Sequence, residues 1–329
     1  MTCDGITLWR QALRSIAVAS VLLACTVSGA LAQAYPDRPV HVLVGYAAGS
    51  GPDIQARLVS QALSTALGQS FVVENRTGAN GTIAARTVAR ATPDGYTLLF
   101  SSSSIAPTPY IYKNLDYNLL TDLKPIATIG ELDGVFMLVD AKSPFKTVPE
   151  LIEYAKKNRV FYGSPGVGNE LHLKAELFNQ QADIKMEHVP YKGASEVMTG
   201  LLSGAVQVMF VTPPSVMGLL KEGRVRALAF TGSKPFPAFP DIPLMKQYLP
   251  QYVSGSWGMF FAPGQTPDAI VSKLNAAIQA GLLQPEVANI MQRDGYMPDN
   301  RNAAQAAEFF RKKVEEAAAT AKAAGIEPN

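Results

Sequence analysis

The chain has 329 residues, of which 29 are Lys or Arg and 27 are Asp or Glu, for a formal net charge of +2. That balance, with no polybasic run, excludes the basic footprint of a nucleic-acid-binding protein. Its only cysteines are Cys3 and Cys25, so a chain processed beyond residue 25 must be stabilised by its core without disulfides.

The first 34 residues read as a secretory signal. Arg10 and Arg14 supply a basic start, the apolar run 16–23 is too short to span a bilayer, and small residues end it at Ala30-Leu31-Ala32 and Ala32-Gln33-Ala34. Cleavage near Ala32 or Ala34 is expected. Leu22-Leu23-Ala24-Cys25 resembles a lipoprotein signal, so acylation of Cys25 stays open as the alternative. No later apolar run is long enough for a membrane span. The roughly 295 remaining residues suffice for two compact domains.

Beyond residue 34, β-rich apolar runs alternate with helical patterns. Strands are expected at 40–46, 70–74, 96–100, 125–129, 135–139, 160–163, 186–189, 207–211, 227–231 and 257–262. Helices are expected at 53–67, 81–91, 148–157, 170–180, 194–202, 214–222, 267–280, 285–294 and 303–324. This alternation predicts an α/β fold with parallel sheets covered on both faces. Turn chemistry agrees: Pro93-Asp94-Gly95 precedes a strand, and Gly223 ends a helix. Crossings are expected in 140–148 and near 254–257. They give a discontinuous first domain, 35–140 with 257–329, and a second domain, 141–256.

Two glycine-rich strand-to-helix loops stand out. In "VHVLVGYAAGSGPDI" a strand runs into Gly49-Ser50-Gly51, and Pro52 and Asp53 open a helix. Free N–H groups at such a helix start favour an anion. "FYGSPGVGNELHLKAELF" repeats the arrangement at 163–169, with Asn169 as N-cap. Both loops lie at carboxyl ends of strands, where ligands of open α/β sheets bind. Neither matches a phosphate-binding or dinucleotide fingerprint. "SGSWG" has Ser254 where a nucleophile elbow needs glycine, and His41, His172 and His188 form no metal motif. His172 is the histidine placed to reach the cleft, leaving a secreted hydrolase or isomerase as the rival. Tyr46, Tyr110, Tyr191, Trp257 and the run 101–104 lie near strand ends, where they can shape a pocket or simply pack.

With "VVENRTGANGTIAA", "TPDGYTLL", "HVPYKGA" and "MFVTPPS" beside the two loops, the chain resembles the Bug family. These are periplasmic substrate-binding proteins of tripartite tricarboxylate transporters. The resemblance implies a two-domain binding protein of the type II-like class, two Rossmann-like domains hinged about a ligand cleft. It implies no enzyme activity, no cofactor and no metal, a small carboxylate ligand, membrane permease subunits as partners, and a periplasmic monomer. A receptor feeding a signalling sensor is the second receptor role. The implied clamp is the backbone of Ala48, Gly49, Ser50, Gly51 and Asp53, opposed by Gly166, Val167, Gly168 and Asn169. Tyr46, Ser102, Ser103, His172, Tyr191 and Val211 are expected to shape the rest. Three departures from the family pattern matter: Pro52 removes a hydroxyl and an N–H, Pro165, Val167, Glu170 and Leu171 replace small polar residues, and Val211 stands where an acidic residue is common. They point to a dicarboxylate or aromatic carboxylate, terephthalate being the specific expectation.

Overall fold

A computed structural model describes residues 35–252, 254–297 and 299–323. The signal sequence, its cleavage sites and Cys25 lie outside the described residues. Arg38–Asn329 form one compact unit, and the preceding unit, Met1–Asp37, contributes residues 35–37 to the description.

Two mixed sheets organise the compact unit. The first is built from β1 (Val40–Val44), β2 (Phe71–Asn75), β3 (Thr97–Ser102), β4 (Leu123–Leu132), β10 (Ser256–Pro263) and β11 (Tyr296–Met297), in the order β11-β4-β10-β3-β1-β2. The second holds β5 (Phe136–Asp140), β6 (Phe161–Ser164), β7 (Glu187–Pro190), β8 (Val208–Val211) and β9 (Val225–Phe230), in the order β7-β6-β8-β5-β9. The helices of the first lobe are α1 (Gly51–Leu67), α2 (Thr82–Ala89), α3 (Thr108–Ile111), α8 (Asp268–Leu282), α9 (Pro285–Arg293) and α10 (Ala303–Ala323). Those of the second are α4 (Val148–Ala155), α5 (Glu170–Ala182), α6 (Ala194–Leu202) and α7 (Met217–Lys221).

The sheets are not wholly parallel, as the alternation had suggested. β10 runs antiparallel to β3 and β4, and β5 antiparallel to β8 and β9. Parallel neighbours need a crossover helix between them. β5 and β10 instead follow directly on the passages between lobes, so each enters its sheet reversed. Phe136–Asp140, expected in the first domain, therefore belongs to the second sheet. The outgoing passage is 133–135, ahead of the expected 140–148; on the return, residues 236–252 still pack in the second lobe's cores, and the chain crosses just before β10, beside the expected 254–257.

Side chains lace the two passages together. Asp133 accepts from Ser233 N (2.7 Å), Ser233 Oγ (2.8 Å) and Lys234 N (3.1 Å). Thr231 Oγ1 accepts from Val135 N (2.8 Å) and donates to Ser254 O (2.7 Å).

Strand periodicity accounts for the cores. Along β5, Phe136 and Leu138 pack in one cluster with Val211 and Phe230, while Met137 and Val139 pack in another with Tyr162 and Phe178. Alternate residues face opposite sides, so the second sheet is covered twice. Each fully buried Phe or Leu contributes about 1.5–3 kcal/mol. The expected helix 214–222 is broken into a 3-10 turn, Pro213–Ser215, and α7, because Val216 at φ −134° interrupts the helical path. Among the described residues no helix is long and apolar enough to cross a membrane.

Candidate ligand-binding site

A cavity of about 520 Å³ opens where the two lobes meet. The first loop reaches it at the end of β1, the residues 77–80 at the end of β2, and the second loop at the end of β6. Lys192-Gly193-Ala194 and the segment 211–215 close it from the second lobe.

The first loop is held from within. Gly49 at φ +76° turns the chain, and its N–H donates to Asp53 Oδ2 (2.9 Å). Ser50 N donates to Ala47 O (3.1 Å). Asp53 also accepts from Arg57 Nε (3.1 Å) and Asn75 Nδ2 (2.8 Å). Burial pushes its carboxyl pKa up, but the hydrogen bonds from Arg57, Asn75 and Gly49 outweigh that and hold it below the usual carboxylate range. Asp53 thus fixes the loop and does not line the cavity. The N–H groups of Gly51 and Asp53, in the first helical turn, have no intrahelical acceptor.

Histidines brace the second loop. Gly166 (φ +134°) and Gly168 (φ +74°) shape it, and Gly168 N donates to His172 Nδ1 (3.0 Å). Gly166 N donates to Ser164 Oγ (3.3 Å), which lies 2.6 Å from His188 Nε2. Asn169 N donates to Gly166 O (3.2 Å), and Asn169 Oδ1 caps α5 by accepting from Leu171 N (3.0 Å). His172 and His188 stack at 4.0 Å between ring centroids. Both imidazoles are pushed down to about 4, His172 by burial and His188 by burial with a smaller contribution from its neighbour His172. Ser164, fully buried, and His188 make a hydroxyl–imidazole pair, with no carboxylate within hydrogen-bonding reach of His188 among the described residues. Neither residue lines the cavity.

Of the residues expected at the site, Tyr46, Ser50, Gly51, Ser102, Gly166, Val167, Asn169, Tyr191 and Val211 line the cavity; Ala48, Gly49, Asp53, Ser103, Gly168 and His172 do not. Gly49, Ser50, Gly166, Gly168 and Asn169 spend their N–H groups inside their own loops. Tyr46 OH accepts from Ser102 Oγ (3.1 Å) and lies 3.1 Å from Ser101 Oγ. Ser103 lines a second cavity of about 470 Å³ beside the passages between lobes. Glu170 borders both cavities.

Sequence reasoning missed the turn 77–81. Ala79 (φ 45°) and Asn80 (φ 54°) sit between Gly78 and Gly81, both also at positive φ. Asn80 Nδ2 donates to Val167 O across the cleft (2.6 Å) and to Tyr112 OH (3.1 Å). The signal was the Asn-Gly pair before a helix, since Asn tolerates the left-handed region. Lys192 was missed as well; it is exposed and is the one Lys or Arg among the cavity-lining residues. Thr212 and Ser215 complete the second lobe's wall. Among the described residues no cluster of His, Cys, Asp and Glu could hold a metal ion.

Residues 55–326 match the family described as "Tripartite tricarboxylate transporter family receptor". A UPF0065 protein of Bordetella bronchiseptica is 36% identical over 288 residues, 87% of this chain and 85% of that protein. The structure of the periplasmic binding protein BugD has 32% sequence identity and a TM-score of 0.85, covering 90% of this chain and 100% of that one. Rpa4515 of R. palustris, whose structure is with adipate, has 31% identity and a TM-score of 0.86 at the same coverage.

Proposed function

Because the chain belongs to the family of tripartite tricarboxylate transporter receptors, periplasmic solute-binding proteins rather than enzymes, we propose that its cleft captures a dicarboxylate with an apolar body. The receptor then hands this ligand to the membrane permease of a tripartite transporter. One carboxylate sits at the start of α1, where N–H groups lacking intrahelical acceptors and the positive helix end favour an anion. The second lies toward Lys192, the cation of the cavity wall. The ligand body rests on Val167, Leu171, Val211 and Tyr191. An aromatic dicarboxylate such as terephthalate is the specific candidate.

The observation that carries this reading is the pairing of apolar walls with an anion-favouring helix start in a cavity of about 520 Å³, a common size for a small-molecule site. Val211, at the end of β8, adds no charge that would repel a carboxylate. The adipate found with Rpa4515 is likewise a dicarboxylate with an apolar body. Closure about the passage 133–135 and the return just before β10 would bury the ligand between the lobes.

The test is a thermal-shift screen of ligand-free protein against aliphatic and aromatic mono-, di- and tricarboxylates. A ligand at a hundred times its dissociation constant adds about 2.7 kcal/mol, a clear rise in Tm. Terephthalate or adipate should give the largest shifts. Shifts confined to citrate or amino acids would remove the apolar dicarboxylate assignment, and a flat panel would remove the carboxylate.

A further inference from the structure

Ser50 and Ser215 line the cavity from opposite lobes, and the Oγ of each is buried with no hydrogen-bond partner among the described residues. Ser50 is at the N-cap of α1 with extended geometry (φ −71°, ψ 159°), yet its side chain makes no capping bond. It is 5% exposed. A Ser in that position ordinarily accepts from an N–H two or three residues on, and a hydroxyl shut away from water without a partner is destabilising. Two unpartnered hydroxyls thus belong to residues that line one cavity beside a helix start.

Gly51 is the reason they meet. A Cβ at that position would lie 2.4 Å from Thr212 Oγ1 and 3.6 Å from Ser215 Oγ, so the missing side chain lets the 212–215 turn approach the end of α1. The turn's backbone is fixed, with Ser215 N donating to Thr212 O (3.2 Å) and Val216 N to Pro213 O (3.0 Å). Pro52 has no N–H and removes one of the donors a helix start would otherwise offer an anion. Hydroxyls beside that end restore the donor count.

We infer that Ser50 and Ser215 donate to one ligand carboxylate, so that the ligand is the shared acceptor that fastens the second lobe onto the first. This rests on the receptor reading above and adds to it a named contact from the second lobe. A carboxylate oxygen offers two lone-pair directions, enough to accept from one hydroxyl on each side. Ligand and closure are then coupled at one point, because Ser215 can reach the carboxylate only when the turn stands against α1.

Isothermal titration calorimetry on the full chain, with adipate and terephthalate as probes, tests the inference. Ser215→Ala should weaken binding about tenfold, as for loss of one hydrogen bond to a charged group. Its ligand-free Tm should stay level or rise, since the substitution removes a buried hydroxyl that lacks a partner. Ser215→Thr, which keeps the hydroxyl, should stay within about threefold of the unmodified protein. Affinity of Ser215→Ala within about threefold of the unmodified protein overturns the inference alone. So does a fall in its ligand-free Tm, which would make the hydroxyl structural. An unmodified protein that binds neither probe overturns the apolar dicarboxylate reading and this inference with it.

Discussion

Asp53 shows how a residue that reads as a ligand contact can act one step behind it. Its carboxylate gathers Gly49 N, Arg57 and Asn75, and Asn75 Nδ2 reaches on to Tyr46 O (2.9 Å). The side chain therefore ties the first loop to the end of β2. Asp53→Ala should cost about 1.5–3 kcal/mol in urea unfolding at pH 7, because three donors lose the one buried carboxylate that accepts from them all. Its pKa is lowered from 3.8 in the folded state, so the stabilisation is fully present above the unfolded-state value and lost as pH falls through the folded-state value. The gap between the unmodified protein and the variant should then narrow below about pH 4. A gap that is constant from pH 7 to pH 3 would mean that the ionised carboxylate contributes nothing there.

At the scale of elements, α5 and the loop before it form a unit braced by histidines. His172 and His188 have an ordinary pKa of 6.5 and are pushed down to about 4 in the folded chain, largely by burial. The groups around them are Tyr162, stacked on both rings, and Glu176, 3.9 Å from His172 Nε2. Between those pH values the unfolded chain binds protons that the folded chain does not, so stability falls as pH drops from 6.5 toward 4. His172→Asn keeps an acceptor for Gly168 N–H but cannot titrate. In thermal melts from pH 7 to 4.5 its Tm should fall about half as steeply, one of two coupled imidazoles having been removed. An unaltered slope would locate the acid sensitivity elsewhere. Much of this unit was readable beforehand: the strand was expected at 160–163 and lies at Phe161–Ser164, and the glycine turn and the Asn169 cap follow from turn and capping chemistry. The partner of the His172 ring was not, since a histidine three residues into a helix can face the cleft or the core, and only the packing of β6 and β7 decides. The strand at β5 was expected, but its place in the first domain was not met, for a related reason. Its five apolar or acidic residues, FMLVD, are equally suited to either sheet, and only the pairing with β8 and β9 assigns them. The 77–81 turn was signalled by Asn80-Gly81, but positive φ on Ala79 leaves no trace in residue type.

For the whole molecule, the contacts between lobes decide how much of the population is closed before ligand arrives. Glu170, at the start of α5, accepts from Ser256 Oγ (3.0 Å) and Ser103 Oγ, both on the first lobe, while pairing with Lys174 (3.2 Å). Ser104 Oγ accepts from Asn169 Nδ2 (3.1 Å) and Glu170 N (3.3 Å). Together with the Asn80–Val167 bond these hold the second loop against the end of β3. Glu170→Ala removes the acceptor and strands Lys174, which is 6% exposed. A buried cation without its partner costs about 3–5 kcal/mol, and parting the lobes is one way to bring it to water. The radius of gyration of the ligand-free variant in small-angle X-ray scattering should rise, and apparent affinity should fall by the factor by which the closed fraction drops. Adding Lys174→Met separates the two causes. If the double variant returns to the compact form, the stranded charge drove the opening. If it stays open, the serine contacts to Glu170 are what hold the lobes together. An unchanged radius and affinity in Glu170→Ala itself would show that closure depends on neither.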